Sequence, residues 1–185
     1  MRIIAGRLRS RKLSAPAGMD VRPTSDRLRE TLFNILGAEI DRSRFLDLYA
    51  GSGAVGIEAV SRGAREAVLI ESHKRAARTV RANIEALEIS AEVQLIESEA
   101  AKALRTLTGT FDFVFLDPPY SMHGQYDQCL NALARSTMLT PESIVIAEHE
   151  KRFTPNEDNG ALHCYRRLLQ GDAALSFYRP GASSE

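Results

Sequence analysis

Four consecutive residues, Asp117, Pro118, Pro119 and Tyr120, combine a carboxylate, two stiff backbone units and an aromatic ring directly after the apolar run "FVFL". Each proline fixes its φ angle and lacks an N–H donor, so the segment offers rigid carbonyl acceptors. Two acceptors that hold the hydrogens of an exocyclic base amine favour a pyramidal nitrogen and stabilise the positive charge that develops during methyl transfer. Tyr120 would stack on the base and orient it. We predict that these four residues are catalytic; the alternative is a proline-bounded turn.

A glycine-rich segment, "DLYAGSGAVG" at 47–56, lies between a predicted strand and a predicted helix. Gly51, Gly53 and Gly56 match the pattern G-x-G-x-x-G, in which glycines allow a tight turn and let a ligand approach the backbone. A dinucleotide, a nucleoside cofactor or a tight turn alone would each use this pattern. We predict a cofactor loop here.

Two acidic residues follow the next two predicted strands. Glu71 stands 20 residues after Gly51, where a carboxylate can accept hydrogen bonds from both hydroxyls of a ribose. Glu99 is predicted to contact the adenine side of the cofactor, although Glu97 is nearby and the stretch could simply begin a helix. The glycines and acids do not separate NAD(P) from S-adenosylmethionine, whereas the amine socket at 117–120 favours S-adenosylmethionine.

Strands alternate with helices along most of the chain, which predicts a mostly parallel sheet covered by helices on both faces. Predicted strands cover 44–50, 66–71, 91–97, 111–117 and 143–149, and predicted helices cover 54–62, 73–88, 99–107 and 124–138. An earlier helix follows Pro23, with Thr24 or Ser25 as its cap. Two extended runs around "QGDA" predict a C-terminal antiparallel hairpin. Ligands of such sheets bind beyond the carboxyl ends of the strands, where the three features above would meet.

Composition is that of one globular domain, because 185 residues with 44% hydrophobic residues can bury a sizeable core. The formal net charge is zero, yet residues 1–30 hold eight Lys and Arg against three acids. A basic segment on an acidic body is typical of a surface for a polyanion, and the alternative is a solvated segment.

Two distant cysteines and four histidines without ligand spacing predict neither a disulfide framework nor a metal site. The N-terminus lacks a signal-peptide pattern, and no apolar run approaches the ~20 residues that span a bilayer. We therefore expect a soluble, cytoplasmic protein with no membrane association.

The motifs together resemble a known family. "DPPY" with "DLYAGSG" is similar to the S-adenosylmethionine-dependent amino-methyltransferases, and closer still to the RsmD family of bacterial 16S rRNA guanine-N2 methyltransferases. That family opens with an "RIIAG" arm and continues with "RPTSDRLRETLFNIL" and "FLDLYAGSGAVGIEAVSRGA", as this chain does at 22–36 and 45–64. One departure is Glu99, where the family more usually has Asp.

The resemblance implies a Rossmann-like class I methyltransferase fold with a seven-stranded sheet, and it assigns the basic segment to RNA. Its expected divisions are an arm at 1–24 within the same domain, a methyltransferase domain at 25–180 and a polar tail at 181–185. The implied partner is 16S rRNA, within a small-subunit assembly particle or naked, and the protein is expected to be a monomer. The expected cofactor-binding residues are Asp47, Tyr49, Gly51, Ser52, Gly53, Glu71 and Glu99. The expected RNA-binding residues are Arg7, Arg9, Arg11, Lys12, Arg22, Thr24 and Arg27.

Three alternatives remain open at this stage. An adenine-N6 methyltransferase on DNA or RNA would use the same Asp117 socket, although the chain shows no large target-recognition domain. An NAD(P)-dependent oxidoreductase would use the same glycine loop but leaves the double proline unexplained. A non-catalytic RNA-binding module would not need an intact "DPPY".

Overall fold

A computed structural model describes residues 1–16 and 24–181 of the chain. The residues form two compact units, Met1–Glu99 and Ala100–Glu185. The predicted divisions at 24/25 and 180/181 remain predictions, and residues 182–185 of the expected tail lie outside the described part. No helix in the described ranges is long and apolar enough to cross a membrane.

The first unit is built on three parallel strands in the order β3-β2-β1, with Arg44 paired to Glu66 and Ala67 paired to Val93. Its elements are α1 (Asp26–Leu36), a 3-10 helix (Gly37–Ile40), β1 (Arg44–Asp47), α2 (Ala54–Ser61), β2 (Glu66–Glu71), α3 (Lys74–Leu87) and β3 (Val93–Glu97). The four central residues of β2 are fully buried, as expected for a strand covered on both faces.

Local sequence explains where the helices of this unit begin and how they pack. Ser25 caps α1, since its hydroxyl oxygen accepts a hydrogen bond from the Leu28 N–H at 3.1 Å. The apolar stripe of α3 is buried, including Val80 and Ile84. Every residue of α2 is buried, which explains its lack of a charged face apart from Glu58.

The second unit contains the strand order β4-β5-β8-β7-β6. Its elements are β4 (Phe111–Leu116), β5 (Leu139–Glu150), β6 (Asp158–Asn159), β7 (Leu162–Gln170), β8 (Ala173–Pro180), α4 (Ala100–Ala103) and α5 (Gly124–Ala134). Strands β4 and β5 are parallel, whereas β5–β8, β8–β7 and β7–β6 are antiparallel. The β7–β8 hairpin turns at Gly171, whose φ of 62° suits glycine.

The predicted α/β class with parallel strands and a C-terminal antiparallel hairpin is confirmed. Of the eight strands within residues 1–16 and 24–181, the two-residue β6 adds to the seven that were expected. All four predicted helices from 54 to 138 are shorter than expected, two of them by only one or two residues and two by at least four. The predicted helix 99–107 ends at Ala103 because threonines and Gly109 follow, and 124–138 ends at Ala134 because Leu139 already pairs with Phe111 in β5.

Candidate active site

The glycine loop between β1 and α2 has the tight geometry that its sequence predicts. Gly51 and Gly53 have φ angles of 57° and 82°, in the left-handed region that favours glycine. Gly53 directly precedes α2 and donates its N–H to the Ala50 carbonyl at 2.7 Å. Gly56 has a packing role, because a Cβ there would lie 2.1 Å from the Leu69 side chain on β2. The loop therefore presents backbone at the carboxyl end of β1.

Glu71, at the end of β2, contacts this loop directly. Its Oε2 accepts a hydrogen bond from the Gly51 N–H at 2.8 Å, and its Oε1 accepts one from the His73 N–H at 2.7 Å. A carboxylate has about four lone-pair sites, so each oxygen retains acceptor capacity for a further donor. Apart from Gly51 itself and its two chain neighbours, no described residue lies within 4 Å of a Cβ placed on Gly51. Open space above the loop and a held carboxylate fit the ribose of a nucleoside cofactor.

The other expected cofactor residues lie around the loop at different depths. Asp47 is buried, and its Oδ1 accepts a hydrogen bond from the Tyr49 N–H at 3.3 Å. Ser52 is buried, with its hydroxyl 3.4 Å from the Met1 sulfur. Glu99 follows β3 and is exposed, and its carboxylate forms no hydrogen bond or ion pair with any described residue.

Sequence reasoning missed Asn83, a buried residue of α3 that supports the same loop. Its Nδ2 donates to the carbonyl oxygens of Ser52 and Ser14, each at 3.0 Å, and its Oδ1 accepts from the Ser14 N–H at 2.9 Å. The available signal was an amide on the apolar face of α3, between Val80 and Leu87. Asn83 therefore joins the glycine loop to the N-terminal segment.

The N-terminal segment 1–16, expected as a basic arm, is a hairpin packed onto the first unit. An antiparallel bridge joins Arg2 to Lys12, and Ile3, Leu8 and Leu13 are buried. The hairpin sits so close to α2 that a Cβ on Gly6 would lie 1.8 Å from the Ser61 carbonyl oxygen. We call residues 1–16 the N-terminal hairpin.

Buried Glu58 anchors this hairpin from α2. Its two carboxylate oxygens accept hydrogen bonds from the N–H groups of Ile4 and Ala5, both at 2.9 Å. Arg62 donates to Oε1 at 2.8 Å, and the Nε of Arg29 lies 3.6 Å from Oε2. Arg29, one of the eight bases in residues 1–30, is fully buried and is therefore no part of a surface for a polyanion.

The expected RNA-binding residues fall into several environments. Arg9 and Lys12 are exposed on the hairpin, Arg7 pairs with Glu92, and Arg11 donates to the Ala86 carbonyl at 3.0 Å. Thr24 and Arg27 flank the start of α1, the first half-buried and the second exposed, and Arg22 lies outside the described residues. The hairpin therefore presents a basic outer surface over an apolar inner one.

The expected catalytic segment follows β4 in the second unit. Asp117 and Tyr120 are half-buried, Pro118 is buried and Pro119 is exposed. A turn closes directly afterwards, where the Met122 N–H donates to the Pro119 carbonyl at 2.7 Å. The four residues thus lie between a buried strand and a turn.

Tyr126 on α5 lies buried close to this segment. Desolvation by burial, together with the neighbouring charges of Asp117 and Tyr120, raises the pKa of the Tyr126 phenol well above its ordinary value. The phenol therefore stays protonated, and it donates to the Glu148 carbonyl at 2.8 Å. This hydrogen bond ties α5 to β5 beside the segment.

Comparison with known proteins places these features in a family. A family model described as "Conserved hypothetical protein 95" matches residues 1–179. The chain is 35% identical to ribosomal RNA small subunit methyltransferase D of Escherichia coli, over 100% of this chain and 92% of that one. It is 38% identical to the protein of the same name from Haemophilus influenzae, over 82% and 79% of the two chains.

Solved structures give the same result for the fold. The yhhF protein of Escherichia coli is 34% identical, with a TM-score of 0.85 and coverage of 99% of both chains. An RNA methyltransferase from Salinibacter ruber, solved with S-adenosyl-L-homocysteine, is 17% identical with a TM-score of 0.66, over 89% and 97% of the chains, and shows a shared fold. The predicted class I methyltransferase fold is confirmed. By sequence and by fold, the chain belongs to the Conserved hypothetical protein 95 family, the family of the ribosomal RNA small subunit methyltransferase D proteins.

Proposed function

We propose that this protein methylates the exocyclic N2 amine of a guanine in the 16S rRNA of the small ribosomal subunit, with S-adenosylmethionine as the methyl donor. The observation that carries the proposal is the Asp117–Tyr120 segment, held between buried β4 and a closed turn in a chain related to rRNA methyltransferases. We further propose that the protein works in the cytoplasm as a monomer. S-adenosylmethionine supplies the electrophilic methyl group.

Asp117 and the Pro118 carbonyl would each accept one hydrogen of the target amine. A guanine amine is a weak nucleophile because its lone pair is delocalised into the ring, and two acceptors oppose that delocalisation. The negative charge of Asp117 stabilises the positive charge that grows on nitrogen, and the fixed backbone needs no reorganisation during the reaction. Tyr120 stacks on the extruded base and keeps the amine in line.

The residues of the first unit would bind the cofactor. Glu71 would accept hydrogen bonds from the ribose hydroxyls with its remaining lone pairs, while the Gly51 and His73 amides hold its carboxylate in place. Asp47, Tyr49, Ser52 and Gly53 would line the same loop. Glu99 is retained as an adenine-side residue, and its exposed position two residues after β3 leaves it available for that contact.

The test of the proposed function is transfer of a tritiated methyl group from S-adenosylmethionine to undermethylated small-subunit particles and to naked 16S rRNA, followed by identification of the modified nucleoside. N2-methylguanosine in the 16S rRNA is the expected product. N6-methyladenosine would refute the guanine assignment, and S-adenosylmethionine binding without transfer to either substrate would refute the activity.

Glu71→Ala is expected to weaken S-adenosylmethionine binding by about 1.5–3 kcal/mol, the range for removing a hydrogen bond to a charged group. The loop also loses the acceptor of the Gly51 N–H, so the effect has two sources. Glu71→Gln retains an acceptor oxygen without the charge and should lie between wild type and Glu71→Ala. Isothermal titration calorimetry measures all three affinities, and equal values for Glu71→Ala and wild type would exclude the ribose assignment.

Replacing Arg9, Arg11 and Lys12 by Ala is expected to weaken RNA binding and to flatten its dependence on salt. The slope of log K against log salt is negative, and each phosphate that is no longer neutralised reduces its magnitude by up to about 0.9 at duplex-like sites. A matched triple variant at the exposed residues Lys102, Arg105 and Arg135 removes the same charge from the second unit. Filter binding at several salt concentrations compares them. If the hairpin variant kept the salt dependence of the wild-type protein, Arg9, Arg11 and Lys12 would be solvated residues without phosphate contacts. The S-adenosylmethionine affinity should not change in either variant.

A further inference from the structure

An aromatic pair, His123 and Phe153, lies close to the proposed catalytic segment and takes no part in the reaction described above. The turn from Pro119 to Met122 leads directly into His123, which precedes α5. Three residues of chain span at most about 10 Å, so the backbones of His123 and Tyr120 are no farther apart than that. His123 is therefore within reach of a nucleotide adjoining a base stacked on Tyr120.

The His123 ring is held in a fixed orientation. It stacks on Phe153 with ring centroids 4.0 Å apart and planes 8° from parallel, and its Nε2 lies 3.1 Å from Oε1 of Glu150. Phe153 in turn packs on buried Tyr126, at 5.2 Å between centroids. The His123 side chain is nevertheless 49% exposed. Since one face rests on Phe153 and one edge meets Glu150, the opposite face of the ring is open to a ligand.

Two cations lie between Glu150 and Phe153, the two residues that hold this ring. Lys151 and Arg152 occupy the turn that closes when the Phe153 N–H donates to the Glu150 carbonyl at 3.1 Å. Both are exposed, and neither side chain forms a hydrogen bond or ion pair within residues 1–16 and 24–181. An aromatic face next to unpaired cations is the combination that binds single-stranded nucleic acid, through base stacking and phosphate contacts.

We propose that His123 is a stacking platform for the RNA nucleotide that adjoins the methylated guanine, with Lys151 and Arg152 holding nearby phosphates. Extruding a base from a stack leaves its neighbour without a stacking partner, which is part of the energetic cost of base flipping. A ring already held by Phe153 and Glu150 replaces that partner without a further loss of side-chain freedom. The inference rests on the proposed function, because it requires a base held at Tyr120.

The test compares His123→Ala with His123→Phe in single-turnover methyl transfer at varied concentrations of small-subunit particles. Stacking contributes about 1–3 kcal/mol per base, so His123→Ala should raise the half-saturating RNA concentration roughly 5- to 150-fold, since 1.4 kcal/mol corresponds to a factor of about 10. The rate at saturation should change little, because His123 is not in contact with the reacting amine. His123→Phe retains a stacking face and should bind RNA within about threefold of wild type.

The two cations Lys151 and Arg152 provide a second measurement that does not depend on the His123 ring. Lys151→Ala with Arg152→Ala should lower the salt slope of RNA binding by up to about 0.9 for each phosphate that these side chains bind in the wild type, with no change in S-adenosylmethionine affinity. The stacking role of His123 would be refuted by unchanged RNA affinity in His123→Ala. It would also be refuted if His123→Phe and His123→Ala lost the same RNA affinity. If His123→Ala does not fold, the Lys151 and Arg152 variant decides instead, and an unchanged salt slope in that variant would overturn the proposal. Failure of the proposed function is recognised separately, since the wild-type protein would then methylate no RNA at all.

Discussion

Asp117→Asn should reduce single-turnover methyl transfer by roughly 10²–10³-fold, the scale for losing one electrostatic interaction with developing charge. The substitution retains the shape of the side chain but removes its charge, and the new amide NH₂ can turn a donor toward the donor hydrogens of the substrate amine. Folding and S-adenosylmethionine affinity should stay at wild-type values, because Glu71 and the glycine loop are untouched. The measurement is the rate at saturating cofactor and saturating RNA.

Tyr120 supplies the matched variants for this experiment. Tyr120→Phe should be mild, because stacking on the base requires the ring and not the hydroxyl. Tyr120→Ala should impair transfer through poorer positioning of the base and should raise the RNA concentration required. Near wild-type rates in Asp117→Asn would show that the segment 117–120 is a stiff turn without catalytic function.

Glu58→Ala should lower the free energy of unfolding by about 3–5 kcal/mol, the range for removing one partner of a buried ion pair. Both side chains of the Glu58–Arg29 pair are 0% exposed, so the substitution removes the only buried counter-charge of Arg29 within the described residues. The buried guanidinium then keeps one ion pair, at 2.9 Å to the half-exposed Asp26. The N–H groups of Ile4 and Ala5 lose their acceptors at the same time. Urea denaturation gives the change in stability, and limited proteolysis reports whether the N-terminal hairpin has loosened.

Two further variants serve as controls: one removes only the charge of Glu58, and the other breaks an ion pair that is exposed instead of buried. Glu58→Gln preserves the shape and one acceptor oxygen, so it should cost less than Glu58→Ala. Glu97→Ala breaks the exposed ion pair with Arg81, where side-chain exposures are 41% and 51%, and should change the stability by less than about 1 kcal/mol. A Glu58→Ala effect as small as that of Glu97→Ala would mean that Asp26, which already pairs with Arg29 at 2.9 Å, is a sufficient counter-charge for the buried guanidinium.

Removing Glu58, which anchors the N-terminal hairpin, should also affect the glycine loop. The hairpin is joined to that loop through Asn83, which bonds both Ser14 and Ser52. The basic outer surface of the hairpin and the proposed cofactor loop are therefore parts of one packed structure, although the sequence presents them as separate segments.

The sequence alone was sufficient for the alternation of the main strands and helices and for naming the residues proposed to do chemistry, although it did not predict β6 or the N-terminal hairpin. Strand and helix periodicities are carried by residues a few positions apart, and Gly51 and Gly53 adopt the left-handed backbone that their sequence context requires. The spacing from Gly51 to Glu71 indicated one shared ribose site, and the structure adds a direct hydrogen bond between the two residues, because parallel β1 and β2 end at the same edge of the sheet. "DPPY" was recognisable because two prolines restrict the backbone whatever lies around them.

Only the tertiary structure decided which polar residues are buried and with which partners. The charge pattern counted Arg29 with the basic segment, but packing places it against Glu58 inside the first unit. The Ile4 N–H meets its acceptor 54 residues away, and His123 stacks on a ring 30 positions later in the chain. No local periodicity encodes such pairs. They form because burying apolar side chains brings distant elements together, and each polar group buried in the process must then find a hydrogen-bonding partner.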